Sequence, residues 1–483
     1  MKTEILKDNL PTDWGVVDLG DLLERITNGL TCEQEMEPPG IPVTRIETIS
    51  NGVVDFERVR YVLDLDEAKK ARFLLQRGDI LFSHINSDLH LGKTAVVTND
   101  KPLLHGMNLL LLRTKKEQLD PYYLHYLLNF YRRSGTFMAI AQHAVNQSSL
   151  NQKKINSLKV PLAPLDQQQH IIAEIEKQFS RLDEAVANLK RVKANLKRYK
   201  AAVLKAAVEG RLVETEAEIV RREGRSYETG AQLLQRILET RRSQWKGKGK
   251  YKEPAAPDTT GLPELPDGWV WATVEQITTE MMNGYGKRSQ MAGKPRIVLR
   301  LADIVDGEIS FAEVRRINCT EDELRKYVLS KGDLLILRVN GSPDLVGRFV
   351  IVHKTPEPAL FCDHFIRARC TTSDLAAWLR AYGDVERFRR YVDLNKVSSA
   401  GQNTINQGAL CPFAFPLPPV EEQHRIAAEI DRRLSLIREV EAQVDANFRR
   451  AERLRQSILA RAFSGLLQQQ ICVKEYAESA TRR

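Results

Sequence analysis

The residues best suited to chemistry are few, and each set falls short of a complete motif. Leu91-Gly92-Lys93-Thr94 has the ending of a phosphate-cradling loop, but the glycine that must open such a loop would fall at position 87, which is Ser87. His353, Cys362, His364 and Cys370 are ligand types that suit zinc, yet they straddle a Pro-containing loop and lack the spacing of a knuckle. There is no glycine-rich cofactor loop, no Asn/Asp-Pro-Pro-aromatic tetrapeptide for amino methylation, and no Gly-x-Ser-x-Gly elbow for a nucleophilic serine. Pro257-Asp258, Pro266-Asp267 and Pro343-Asp344 lack the acidic-x-Lys triplet of a nuclease. The chain reads as non-catalytic, with no metal and no cofactor of its own.

Recognition chemistry fares better. Two polar loops follow similar apolar runs: His84-Ile85-Asn86-Ser87, and Arg338-Val339-Asn340-Gly341-Ser342. Asn can bridge an adenine edge and Arg a guanine edge in the DNA major groove. Asn-Gly and Asn-Ser are equally good turn formers. Arg45 and Arg300 precede strand ends, where either a DNA contact or a structural ion pair suits them. The candidate DNA-binding set is Arg45, His84, Asn86, Ser87, Lys93, Arg300, Arg338, Asn340, Ser342 and Arg348.

Charge agrees with an anionic partner. Lys and Arg number 72 against 63 Asp and Glu, a surplus of nine over 483 residues. Lys177–Arg211 holds ten basic and three acidic residues, and Arg432–Leu466 holds eight basic and four acidic, so these two segments exceed the whole surplus. The plain reading is two solvated helix faces; the other is a pair of helices lying along a duplex and touching phosphates. No apolar run approaches 18 residues, and six scattered Cys form no CxxC pair. A soluble, cytoplasmic chain with reduced thiols is expected.

What must position these residues emerges when the chain is aligned with itself. Trp14 matches Trp269, Asn28-Gly29 matches Asn283-Gly284, Gln147 matches Gln402, Asn151 matches Asn406, Gln168 matches Gln423 and Gly210 matches Gly465, all 255 apart. Gly78-Asp79 and Gly332-Asp333 match with a slip to 254. Such a period duplicates a whole domain with its connector. Each copy opens at Leu-Pro-x-x-Trp and contains buried-strand signals at Ile80–Phe82, Thr94–Val97, Leu334–Leu337 and Phe349–Val352. One amphipathic helix is expected near Tyr122–Gln142 and another near Leu375–Val392. Each copy closes at a Pro-x-x-Pro punctuation that launches a long helix. Leu182, Leu189, Leu196 and Val203 are spaced in heptads, as are Ile437, Val444 and Ile458, and they define packing seams. Equivalent helices in a duplicated chain are expected to pair antiparallel.

The doubled Leu-Pro-x-x-Trp opening, Asn-Gly turns, Gly-Asp strand, Gln147–Asn151 and Gln402–Asn406 stretches, and Pro-x-x-Pro then Gln-x-x-Ile helix entry resemble, in that order and twice, the specificity subunits of type I restriction-modification systems. The resemblance implies a mixed α/β (α+β) fold with two pseudo-symmetric target recognition domains separated by long antiparallel coiled-coil helices. It divides the chain into recognition domain one (1–165), a spacer helix (166–212), a helical arm and basic linker (213–264), recognition domain two (265–419), a second spacer helix (420–467) and a tail (468–483). Each recognition domain would bind half of a bipartite, asymmetric site on double-stranded DNA, and the helices would set the gap. The implied partners are two modification subunits, which would bind S-adenosylmethionine, and restriction subunits using ATP and Mg, with no membrane. A recognition subunit of a fused methyltransferase-nuclease system and a scaffold that never touches DNA are the competing readings.

Overall fold

The computed structural model describes residues 10–144, 147–245 and 249–467. The chain forms two compact units, the first from residues up to 190 together with those from 445 onward, the second from 191–444. Among the described residues no helix is long and apolar enough to cross a membrane.

Unit one is built on a four-stranded antiparallel sheet in the order Leu23–Asn28, Leu110–Thr114, Ile80–Phe82, Thr94–Val96. The central strands are apolar over Ile80–Phe82 and residues 110–112 because both faces are covered there. Ile80, Phe82, Leu110 and Leu112 point into one cluster with Tyr123, Leu124, Leu127 and Leu128, whereas Leu81, Leu109 and Leu111 point into another with Ile49 and Leu75. The covering helix Pro121–Arg133 starts where Asp120 accepts a hydrogen bond from Tyr122 N, with Pro121 in the first turn. It is shorter than its sequence pattern predicts. Gly135, at φ +79°, turns the chain out, Thr136–Ile140 forms a separate short helix, and Gln142 already belongs to a strand.

Unit two repeats that strand order with Thr278–Asn283, Phe365–Cys370, Leu334–Leu337 and Phe349–Ile351. Its expected single helix is likewise two, Ser373–Tyr382 and Glu386–Asn395, broken at Gly383, where a Cβ would collide with the Phe349 ring. In both units the opening segment pairs with the Pro-rich punctuation, as Gly15–Asp18 with Lys159–Leu162 and Val270–Thr273 with Ala414–Leu417. The arm contains Gly230–Ser243 and a helix that its pattern did not suggest, Glu216–Glu223, begun by a Thr215–Glu218 capping box. Lys246–Lys248 of the expected basic linker lie outside the described residues.

The two long helices are Leu165–Val208 and Val420–Phe463, of 44 residues each. In unit one, Ile171 and Ile175 of the first share a core with Leu459, Ala462 and Phe463 of the second. In unit two, Leu204 and Ala207 share one with Ile426, Ile430, Leu434 and Ile437. Within each unit the two helices therefore run antiparallel. Val203, Ile437 and Val444 are buried, and Leu182, Leu189, Leu196 and Ile458 half-buried, because a two-stranded seam leaves its flanks open. Both helices end on a left-handed glycine, Gly210 at φ +66° and Gly465 at φ +78°, where a Cβ would collide with the rings of Pro266 and Pro11 respectively.

Candidate nucleic-acid interface

The polar loops that follow the Gly-Asp strands do not stand alone. In unit one, Ile85–Asn86 forms the edge of a three-stranded sheet with Gln147–Ser149 and Gln142–Ala144. Leu150 N anchors this sheet by donating to the His84 carbonyl at 2.8 Å. In unit two, Val339–Asn340 pairs with Gln402–Thr404, which pairs with Val397–Ser399, and Ile405 N donates to the Arg338 carbonyl at 2.9 Å. The duplicated loop and the duplicated Gln-x-x-x-Asn stretch thus meet in one polar ribbon per unit.

In unit two, Ala400 (φ +47°) and Gly401 (φ +76°) form the two-residue turn of the ribbon, the left-handed pair that matches strand twist. Its outer strand Val397–Ser399 is exposed throughout, with no strand among the described residues paired to its far edge. A polar two-stranded ribbon with neither face in a core has the dimensions and chemistry that the major groove admits.

The asparagines of the repeat have structural work. Asn151 accepts from Lys154 N and Asn406 from Ala409 N, both at 2.9 Å, capping the short helices that follow. Gln168 and Gln423 are buried and donate to the Ala163 and Pro418 carbonyls, each at 2.8 Å, fastening the long helices to the Pro-rich segments.

The sequence-derived DNA-binding residues fall into three groups. Ser87 and Ser342 are exposed at the ribbon bases, beside half-buried Asn86 and Asn340. The two asparagine carbonyls accept from Ser87 N at 2.9 Å and Ser342 N at 2.8 Å, which is their turn-forming role. Arg45, Arg300 and Arg348 are engaged by their own units. Arg45 Nε donates to Glu47 at 3.1 Å and Arg300 to Asp303 and the Glu313 carbonyl, so of the two roles open to this pair the structure shows the ion pair. Arg348 pairs with Asp384. His84, between the strand Ile80–Phe82 and the ribbon edge Ile85–Asn86, is a buried imidazole, pushed down to about 4 by burial.

Lys93 and Arg338 are half-buried. Lys93 Nζ donates to the Ser50 carbonyl at 2.8 Å, and burial followed by the Arg132 charge lowers its pKa. His90 is lowered by burial and by the Lys93 and Arg132 charges. Neither Lys93 nor His90 has a carboxylate partner among the described residues, and the Lys93 and Arg132 charges favour the neutral form of His90. Arg338 donates to the Asp363 carbonyl at 3.2 Å.

Of the four zinc-type residues, only Cys362 and His364 lie together, 3.6 Å apart beside Asp363. Asp363 is gripped by Arg288 at 2.8 and 3.3 Å, and His353 faces Glu308 at 3.8 Å. The four do not form one coordination sphere.

Sequence reasoning missed the ribbon side chains Gln142, His143, Val397, Ser398 and Ser399. The available signal was the Gln147–Gln402 match, together with Ala400-Gly401 as a turn.

Two α/β units of one plan, each presenting a polar ribbon and each holding opposite ends of paired helices, define a duplicated recognition protein. Residues 11–198 match the family described as "Type I restriction modification DNA specificity domain". The StySPI specificity subunit of Salmonella potsdam is 26% identical over 468 residues, covering 95% of this chain and 90% of that one. A type I restriction enzyme specificity subunit named for Methanocaldococcus jannaschii, MjaX, is 50% identical over 183 residues, covering 38% of this chain and only 42% of that one. Among solved structures, the HsdS subunit from Thermoanaerobacter tengcongensis has the same fold at a TM-score of 0.50 and 18% identity, over 94% of this chain and 98% of that one. Over residues 11–198 the chain matches the specificity domain of type I restriction-modification systems, and over 95% of its length it is similar to a specificity subunit of such a system.

Proposed function

We propose that this chain reads a bipartite, asymmetric DNA sequence, one half per unit, and that the paired helices set the gap between the halves. The observation that carries this reading is that one ribbon-and-loop assembly occurs once in each unit with different side chains on it. A 44-residue helix is about 66 Å long, comparable to two turns of duplex at about 34–36 Å per turn. The chain further serves as scaffold for modification and restriction subunits, which supply S-adenosylmethionine, ATP and Mg chemistry. It contributes the address.

The test is methylated-base sequencing of DNA from cells co-expressing this chain with the modification subunit encoded beside it, against that subunit alone. A bipartite motif appearing only with this chain is the expected result; no motif despite a stable complex would overturn the reading. Deleting one heptad from both long helices should alter the gap and leave both half-sites intact. An unchanged gap would remove the helices from that role.

A further inference from the structure

The ribbons are aligned by the same 255-residue offset as the rest of the repeat, so each position in one has a defined counterpart in the other. Gln142 corresponds to Val397, His143 to Ser398, Ala144 to Ser399, Gln147 to Gln402, Ser148 to Asn403 and Ser149 to Thr404. Strand pairing divides these side chains between two faces. Ser398 and Asn403 oppose each other on one face and His143 and Ser148 on the same face of the other ribbon, while Val397, Thr404, Ser399 and Gln402 occupy the second face.

Three observations set the ribbons apart from the loops at their bases. The side chains of Gln142, Gln147, Ser399 and Gln402 are exposed and make no hydrogen bond to another described residue. In the loops, by contrast, the Asn86 and Asn340 amide oxygens are turned to their own backbone and His84 is buried, while the Ser87 and Ser342 hydroxyls are exposed. Secondly, Val397 is 63% exposed and nearby Leu394 76%, which costs solvation without any intramolecular return. Thirdly, the position nearest the turn on the inner strand is Gln in both copies, whereas the outer-strand positions differ in kind: amide against apolar at 142/397, imidazole against hydroxyl at 143/398. His143 is additionally tied into its ribbon, with Nδ1 2.8 Å from Ser148 Oγ, which in turn donates to Asp88.

Resting on the function proposed above, we infer that these hairpins are the base-reading elements. Gln147 and Gln402 make the same contact in both half-sites, and Gln142 and His143 in one ribbon, against Val397 and Ser398 in the other, make the half-sites different. Glutamine offers a paired donor and acceptor to a base edge, the valine methyls suit a thymine methyl, and imidazole or hydroxyl takes a single hydrogen bond.

The experiment writes the unit-one residues into unit two. The double variant V397Q/S398H, exchanging exposed side chains on an unchanged backbone, is co-expressed with the adjacent modification subunit and its methylation motif is sequenced beside the wild type. The expected result is a changed or relaxed base preference in one half-site, with the other half-site and the gap intact; the intact half reports that the chain is folded. Wild-type motifs in both halves would overturn the inference. If methylation is lost altogether, the purified complex is tested on the wild-type site and on duplexes altered in each half. Loss of discrimination confined to one half supports the inference, and discrimination equal to wild type in both overturns it. Q147A and Q402A should each weaken their own half-site by about tenfold, and an equal loss in both halves from either change would count against the shared contact. Absence of any motif with the wild-type chain would instead sink the underlying function, so the two failures are distinguishable.

Discussion

Units one and two have the same strand order but different interiors. At the centre of the sheet unit one buries Leu111, and the equivalent position in unit two is Arg367, only 1% exposed. Arg367 donates to the Val328 carbonyl at 2.7 Å and to Glu280 at 3.0 Å. The aspartate of the Gly-Asp turn is kept in both units, as Asp79 holding Arg113 at 2.7 and 2.8 Å and Asp333 holding Arg369 at 2.9 and 3.3 Å. Unit one instead buries imidazoles: His84, His105 and His125 are all pushed down to about 4 by burial. One backbone plan thus accepts a buried cation or a buried leucine, the cation being held by carbonyls and carboxylates through its terminal nitrogens.

The largest expected consequence is acid sensitivity confined to unit one. Its three imidazoles stay neutral in the folded chain down to about pH 4 but would titrate near 6.5 when unfolded. Their contribution is therefore fully present above about pH 6.5 and is lost as pH falls toward 4, at about 1.4 kcal/mol per pH unit for each. Hydrogen exchange at pH 7 and 4.5 should show protection falling first in the strands of unit one; a simultaneous loss in both units would break the comparison.

Next in size is Asp333→Ala, which leaves Arg367 and Arg369 facing each other with Glu280 alone and should cost roughly 3–5 kcal/mol. Asp79→Ala strands the single Arg113 and should cost less. Urea unfolding followed by tryptophan fluorescence, to which unit two contributes Trp245, Trp269, Trp271 and Trp378, measures the first. Equal midpoints for the two variants would show that Arg367 adds nothing to the dependence on Asp333.

The smallest effect tests what the units share. Asn151→Ala and Asn406→Ala should each lower stability by about 1 kcal/mol, as loss of one helix cap does, and neither should alter base preference. A changed methylation motif from either would assign these asparagines to recognition after all.

The repeat was legible because duplication leaves both copies to compare, and the buried strands because runs such as Leu334–Leu337 are apolar at every position. The helix breaks at Gly135 and Gly383 were not, since apolar residues on either side continue a helical spacing across them. Ribbons of three-residue strands, polar on both faces, have no hydrophobic period to detect. Asn151 and Asn406 recur where they cap a helix start, and Arg45 and Arg300 recur where each pairs with a carboxylate in a short turn, whereas the ribbon positions inferred to separate the half-sites are those at which the copies disagree.

The shared core of Ile171, Ile175, Leu459, Ala462 and Phe463 also fixes an order of events during synthesis. A ribosome delivers residues 191–444, the whole of unit two, before it delivers the last of unit one. Unit two can close while the chain is still growing, but Tyr123 and Phe130 of unit one await Phe463, whose ring they meet at 5.2 and 6.0 Å. The half made first is completed last, and its uncovered aromatic surface is the part of the nascent chain most in need of protection.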